Sequence, residues 1–404
     1  MDIADIRSRF PILERKVYGK PLVYLDSGAT AQKPLPVIEI VDRLHRELNG
    51  NIHRGAHFLA EECTSMYEES RSRIKRFIGG DERGEVVFTS GATAAVNLVA
   101  YSWGEAMIGA GDNVVVSEME HHSNLIPWQL ICERKGARLR MLPFDEQGCL
   151  RTELLESLID GRTRMVAVTQ ASNTLGTRPD LRTVIDTAHA RGVKVLVDGC
   201  QGVVHGGVDV AALDCDFYAF SGHKLYGPTG IGVLYGKREL LDAMPPFLGG
   251  GDMVDRVSFE GTTYAPVPLK FEAGTANYIG AIGLGEAVKF LSEFRPEDIE
   301  AHEHALLERA QRALSEIDGL RIYGTCPDKC GIVSFNVEGV HHYDMGMILD
   351  KLGIAVRTGM HCAEPVMRHY GVSGMCRASL AMYNTAEEVD ALAAGVRRAV
   401  GMLR

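Results

Sequence analysis

The sequence predicts an α/β protein: a large domain built on a mostly parallel sheet, followed by a smaller α+β domain. Two observations carry this. Between about residues 80 and 240, short apolar runs alternate with helical segments, and the runs are apolar nearly throughout rather than at every second position. That pattern belongs to strands covered by helices on both faces. The polar, Gly-containing clusters also fall where the strands end, which is where open parallel sheets bind ligands.

In chain order, "EVVFT" is the first such strand and "ATAAVNLVAYSW" the helix after it. "DNVVVS" is followed by "NLIPWQLICERKG". "RMVAVTQ" leads to "DLRTVIDTAHARG", which closes on Gly192. "VKVLVD" and "DFYAF" come next, and a run at Ile231–Tyr235 after them. Residues 245–280 are rich in Gly and Pro and read as loop. Beyond them lie the apolar segment "GAIGLGEAVKFLSEF", a long helix from about Glu297 to Ile317, and the strands "GIVSFNV" and "GIAVRTG". The last helix starts at Thr385 with Glu388 three residues on, a capping box, and carries Val389, Leu392, Val396 and Val400 on one side. We divide the chain into a large domain, 21–280, and a small one formed by 1–20 and 281–404.

Composition narrows the function. The chain has 404 residues, 46% hydrophobic and 24% charged, an ordinary globular balance. Its net charge is -10 with Lys and Arg scattered, unlike a nucleic-acid binder. No apolar run is long enough to span a bilayer and no signal-like block opens the chain, so a cytoplasmic protein is expected. Nine cysteines, an odd number, argue against a disulfide framework. "CPDKC" (Cys326–Cys330) is too loosely spaced for a metal pair.

The strand-end clusters hold the chemistry. "TSGAT" opens a helix directly after a strand; its N–H groups and the Thr93 hydroxyl suit an anion, although many plain turns look the same. Asp198 ends a buried strand, with Gln201 three residues on. It could cap a loop, or hold a protonated ring nitrogen as pyridoxal phosphate enzymes require. Lys224 stands between two apolar strands, behind Ser221 and His223. A solvated loop lysine is the simpler reading of that stretch alone. A lysine that bonds a cofactor covalently needs such a partly desolvated place. His121 can lie flat on an aromatic ring. Thr, His, Asp and Lys at successive strand ends make a phosphate anchor, ring stack, pyridine partner and covalent lysine. Cys362 sits in a Gly/His loop near Arg357 and His361, and Arg377 follows in "CRASLAMYNT", suited to fork a carboxylate.

These stretches, together with "YLDSGATAQKP", "NIHRGAH", "EMEHHSNLIPWQ", "QASNTLGT", "VDGCQG", "FSGHKLYGPTGIGVLYG" and "FEAGTAN", resemble the pyridoxal-phosphate-dependent cysteine desulfurases of the class V aminotransferase group, nearly end to end. The short loop before Cys362 is similar to the SufS type, close to selenocysteine lyase, rather than to the longer-loop NifS/IscS type. The resemblance implies a type I pyridoxal phosphate fold with a seven-stranded sheet. Lys224 would be the covalent anchor and His121 the ring stack that helps move protons. Asp198 and Gln201 would contact the ring, and Thr93, Ser221 and His223 the phosphate. Thr275 would reach the phosphate of a partner subunit, which implies a homodimer. Asn173, Arg357 and Arg377 would bind the substrate, and Cys362 would carry sulfur as a persulfide. The implied reaction turns L-cysteine into L-alanine and feeds iron-sulfur cluster assembly through an acceptor of the SufE or SufU kind. In SufU-type pairs a histidine takes over a zinc ligand; His342 of "VEGVHHYDMG" is the matching position, and with His341 a candidate docking surface, although two histidines in a solvated loop is the simpler reading.

The chain departs from the family pattern at Met360, where a second His is common, and at Ala92, where Thr is common. L-Selenocysteine is an alternative substrate for the same residues. An aminotransferase or kynureninase-like enzyme is a more distant alternative, against which Cys362 argues. A scaffold that only docks assembly proteins would not need the full catalytic set.

Overall fold

The computed structural model describes residues 1–404. Its centre is a seven-stranded sheet, whose strands we number in chain order: β1 (Gly84–Thr89), β2 (Asn113–Ser117), β3 (Arg138–Leu142), β4 (Thr163–Thr169), β5 (Lys194–Asp198), β6 (Phe217–Ser221) and β7 (Gly232–Lys237). Across the sheet they run β1-β7-β6-β5-β4-β2-β3. The strands from β6 to β3 are mutually parallel. β7 alone runs backwards, antiparallel to both β1 and β6. Every residue of β2 and β6 is buried, as apolar runs without alternation require.

Where β7 begins, backbones crowd. A Cβ on Gly232 would stand 2.4 Å from the Cα of Gly91, so only glycine fits beside the turn that opens helix Ala92–Val99. That helix does not continue to Trp103 as one regular element; from Ala100 to Gly104 it widens into a π-type turn.

Three features differ from the sequence reading. β3 was not anticipated: it is an edge strand with only its last residue buried, so it lacks the buried apolar run that marks the others. The 245–280 segment is not all loop, because Val254–Val257 and Thr262–Tyr264 form an exposed hairpin. A disulfide joins Cys149 to Cys326, across 177 residues. The carbonyl of Gln147 accepts N–H bonds from Thr325 (2.7 Å) and Cys326 (3.0 Å), which brings the two cysteine Cα atoms to 5.2 Å. Seven cysteines stay free, so an odd total hid one bonded pair.

The second sheet orders Leu320–Tyr323, Ile332–Val337, Met375–Ser379 and Arg357–Gly359, all antiparallel. Helices Pro296–Ser315 and Ala386–Leu403 pack together beside it through Leu306, Leu314, Leu392 and Val396. The last helix carries the capping box formed by Thr385 and Glu388. The division at 20/21 and 280/281 remains our proposal. Two elements tie its halves: Val23–Tyr24 pairs in parallel with Ile354–Ala355, and helix Tyr278–Leu291 packs on helices Leu35–Glu47 and Phe58–Phe77. No helix is long and apolar enough to cross a membrane.

Candidate active site

At the carboxyl ends of β4, β5 and β6 one cavity opens toward the second sheet. Every site candidate named from sequence lines it except Cys362 and Thr275.

The sheet supplies the floor. Asp198, the last residue of β5, is 3% exposed, and its Oδ1 accepts the Cys200 N–H at 2.9 Å. Gln201 donates to the Gly28 carbonyl (2.9 Å), while its Oε1 is buried without a partner. Ser221, last in β6, accepts the Ala92 N–H at 2.8 Å and so fixes the start of the helix that bears Thr93. A short helical turn, Gly222–Lys224, follows and sets half-buried Lys224 at the cavity.

His121 leads from β2 into the short turn His122–Asn124. Its Nδ1 accepts the Ser123 N–H (3.1 Å), which leaves the ring proton on Nε2. Burial, reinforced by the charge of Lys224, pulls His121 down to about 4, and His223 is drawn to about 4 in the same way. Both rings are therefore neutral at pH 7.

The second sheet supplies the roof. Arg377, 2% exposed, donates from Nη1 to the Asn173 carbonyl (2.7 Å) and from Nη2 to Asp26 Oδ1 (3.1 Å). Its Nε is buried with no partner. Arg357 lies opposite Arg377 in the strand register. An unused guanidinium N–H between two strands' worth of positive charge is a place for a carboxylate.

Cys362 lies just outside the cavity, on a loop whose preceding residue, His361, lines it. Two consecutive non-glycine residues there, His361 (φ 53°) and Cys362 (φ 55°), adopt left-handed backbone. Such conformations cost free energy and persist only when neighbours hold them. Asn173 Nδ2 donates to the His361 carbonyl (2.7 Å) and the His122 N–H to the Cys362 carbonyl (2.8 Å). His361 Nε2–H donates to the Met375 carbonyl (3.0 Å), and burial takes the ring down to about 2. Next to it Met360 is half exposed, and Ala92 is buried under the helix start.

Thr275 is elsewhere. It lines a separate, mainly apolar cavity with Phe88, Leu248 and Phe271. His341 and His342 do not sit in a loop: His341 caps helix His342–Lys351, the two rings lie 4.2 Å apart, and His342 is half-buried in a groove with Arg321 and Glu338.

Two contributors were given no role from sequence. Asp26 holds Arg377 although 351 residues separate them. Glu120, buried, accepts the Thr169 N–H (2.7 Å) and Asn124 Nδ2–H (2.7 Å), tying β4 to the His121 turn. Both lie inside motifs quoted above, and only tertiary contacts reveal their work.

The cavity fits pyridoxal phosphate. It offers a lysine for covalent attachment, a buried carboxylate for the pyridine nitrogen, an unsatisfied amide oxygen at Gln201 and a helix start for the phosphate. Comparison with known proteins agrees. The family model for aminotransferase class-V matches residues 23–392. The cysteine desulfurase of Cronobacter sakazakii is 52% identical over 397 residues, covering 98% of each chain. Among solved structures, the cysteine desulfurase CsdA of Escherichia coli superposes with a TM-score of 0.93 at 43% identity, covering 100% of both chains. The apo cysteine desulfurase of Thermococcus onnurineus gives 0.94 at 37% identity over 99% of this chain and 98% of the other. This chain belongs to the class V aminotransferase family and, within it, to the pyridoxal-phosphate-dependent cysteine desulfurases.

Proposed function

We propose that this enzyme converts L-cysteine to L-alanine, takes the sulfur on Cys362 as a persulfide, and passes it to an acceptor protein for iron-sulfur cluster assembly in the cytoplasm. The observation that carries the reading is the unpartnered Nε of Arg377, buried between Asn173 and Asp26 and one loop away from Cys362. It suits the carboxylate of a small amino acid and leaves that amino acid's side chain toward the cysteine loop.

Bound pyridoxal phosphate supplies an electron sink at the substrate's α-carbon. The chain's residues do the rest. Arg377, Arg357 and Asn173 hold the carboxylate. Lys224 Nζ, with no carboxylate pinned to it, takes the α-proton and returns a proton to the product. Neutral His121, its ring fixed by Ser123, carries a proton on Nε2 at the ring face. Cys362 Sγ attacks the substrate sulfur. A carbon–sulfur bond breaks and a sulfur–sulfur bond forms, so cysteine plus enzyme thiol becomes alanine plus enzyme persulfide, with no outside oxidant or reductant.

Two finer points belong to the same proposal. Thr275, remote from Lys224 within one chain, completes the phosphate site of a second copy in a homodimer of the SufS type. The groove beside His341 and His342 receives a sulfur acceptor of the SufE or SufU kind; a SufU-type partner would exchange a zinc ligand with His342.

The test is direct. Borohydride reduction and peptide mapping should fix the cofactor on Lys224. Cys362→Ala should keep the yellow cofactor band and its change on adding cysteine, yet release no sulfur to an acceptor. A label on another lysine, or near-normal sulfur release by that variant, rejects the reading. If selenocysteine is cleaved many-fold faster than cysteine, selenium handling replaces sulfur supply as the main role.

A further inference from the structure

Three donors converge on one carbonyl. The oxygen of His223 accepts the Ala31 N–H (3.0 Å), the Thr30 hydroxyl (3.3 Å) and the Lys33 ammonium (2.9 Å). Lys33 Nζ also donates to the Ala31 carbonyl, at 2.6 Å. No carboxylate answers its charge. Burial alone pulls its ammonium down to about 8, and the charge is felt at the His223 ring. A cation kept half out of water with only carbonyls for partners costs free energy. Its position suggests what it does there. The carbonyl it grips belongs to the residue before Lys224, inside the single turn Gly222–Lys224. A lysine side chain has four rotatable bonds, so its tip is aimed only if the backbone it leaves from is fixed.

We propose that Lys33 is a positioning residue for Lys224: it clamps the His223 carbonyl and so fixes the turn from which the cofactor-bearing side chain projects. This rests on the reading of Lys224 as the cofactor's anchor.

The test compares K33M, K33Q and K33R as holoenzymes. Steady-state activity reads the clamp. K33M should lose kcat several-fold with cysteine KM within twofold of wild type, because the carboxylate site is untouched. K33Q, which keeps an N–H donor, should recover part of that kcat. K33R, which keeps both the donor and the charge, should recover more of it; wild-type kcat in K33M, or no recovery in K33R, overturns the clamp. Where K33M does not fold, Thr30→Val, which removes another donor to the same carbonyl, decides the clamp: unchanged kcat there overturns it. Borohydride mapping of the wild-type enzyme keeps the two readings apart, since a label away from Lys224 rejects the anchor whatever the variants do.

Discussion

Arg71 and Arg377 are buried to similar depth, 5% and 2% exposed, and they are used differently. Arg71 spends every donor within the protein. Its Nη atoms reach Glu272 at 2.6 and 2.8 Å and the Val86 carbonyl at 3.0 Å, and its Nε reaches Glu68 at 2.9 Å. Its guanidinium also lies 4.7 Å from the Phe88 ring centre and 5.0 Å from that of Tyr67. Glu272 is equally occupied, accepting from Tyr67 Oη (2.8 Å) and the Phe88 N–H (2.7 Å). Arg377 has one carboxylate oxygen, one carbonyl, and an Nε left over. A saturated buried charge is part of the scaffold. A buried charge with a donor to spare is held ready for something that arrives.

The difference predicts opposite outcomes for equivalent substitutions. Arg377→Gln should depress kcat/KM for cysteine most. Losing one side of a buried, hydrogen-bonded charge pair costs about 2–5 kcal/mol, which is roughly 30-fold to several thousand-fold in rate. The variant should still fold and bind cofactor. Steady-state kinetics within twofold of wild type would reject the carboxylate role.

Arg71→Met should do the reverse. It leaves Glu272 buried and unpaired, a loss of about 3–5 kcal/mol in stability, readable by denaturant titration, while the fraction that remains folded keeps a normal KM. If it melts like wild type, the saturation argument fails.

The smallest effect concerns acid. In the cofactor-free enzyme, burial lowers His121 and His223 to about 4 and His361 to about 2, whereas free histidines titrate near 6.5. Between these values the unfolded chain binds protons that the folded one refuses. Stability should therefore fall as pH drops from about 6.5 toward 4, by on the order of a few kcal/mol. The loss should begin around the cavity. Hydrogen exchange should show the Cys362 loop and the Gly222–Lys224 turn opening before the Arg71 helix. Uniform loosening would contradict this.

How much of this is readable in the sequence depends on the range of the signal. The core strands β2, β4, β5 and β6 announce themselves as apolar runs, and the chemistry at their ends stands out because lysine and aspartate are costly in such surroundings. β3 escapes because it is an edge with a single buried residue. The disulfide escapes because parity says nothing about pairing across 177 residues. Arg377 is legible as a carboxylate fork, but its readiness is not. That depends on Asp26 and Asn173 each taking one of its terminal nitrogens and nothing taking its Nε, a fact of three distant segments meeting. Thr275 differs: the resemblance implies a contact to a partner subunit's phosphate, and one copy of the chain, in which it lines a different cavity, does not test it.

The segment from Tyr24 to Lys33 belongs by position to the start of the chain and by contact to its end. Val23–Tyr24 lies along Ile354–Ala355, the Gly28 N–H reaches Ser379 Oγ (2.8 Å), Ser27 meets Tyr383 (2.7 Å) and Asn384 holds the Tyr24 carbonyl (3.0 Å). A growing polypeptide makes these partners more than 300 residues apart. While the central sheet assembles during translation, the early segment can reach His223 and Gln201 but none of its partners beyond residue 350, and the Asp26 anchor for Arg377 has to wait. Closing so long a loop is slow rather than prohibitively expensive, since the entropic cost grows only with the logarithm of its length. The carboxylate side of the bay is thus completed last, after the ribosome has all but finished, and a prematurely truncated product would carry the lysine and its clamp without the arginine that holds the substrate.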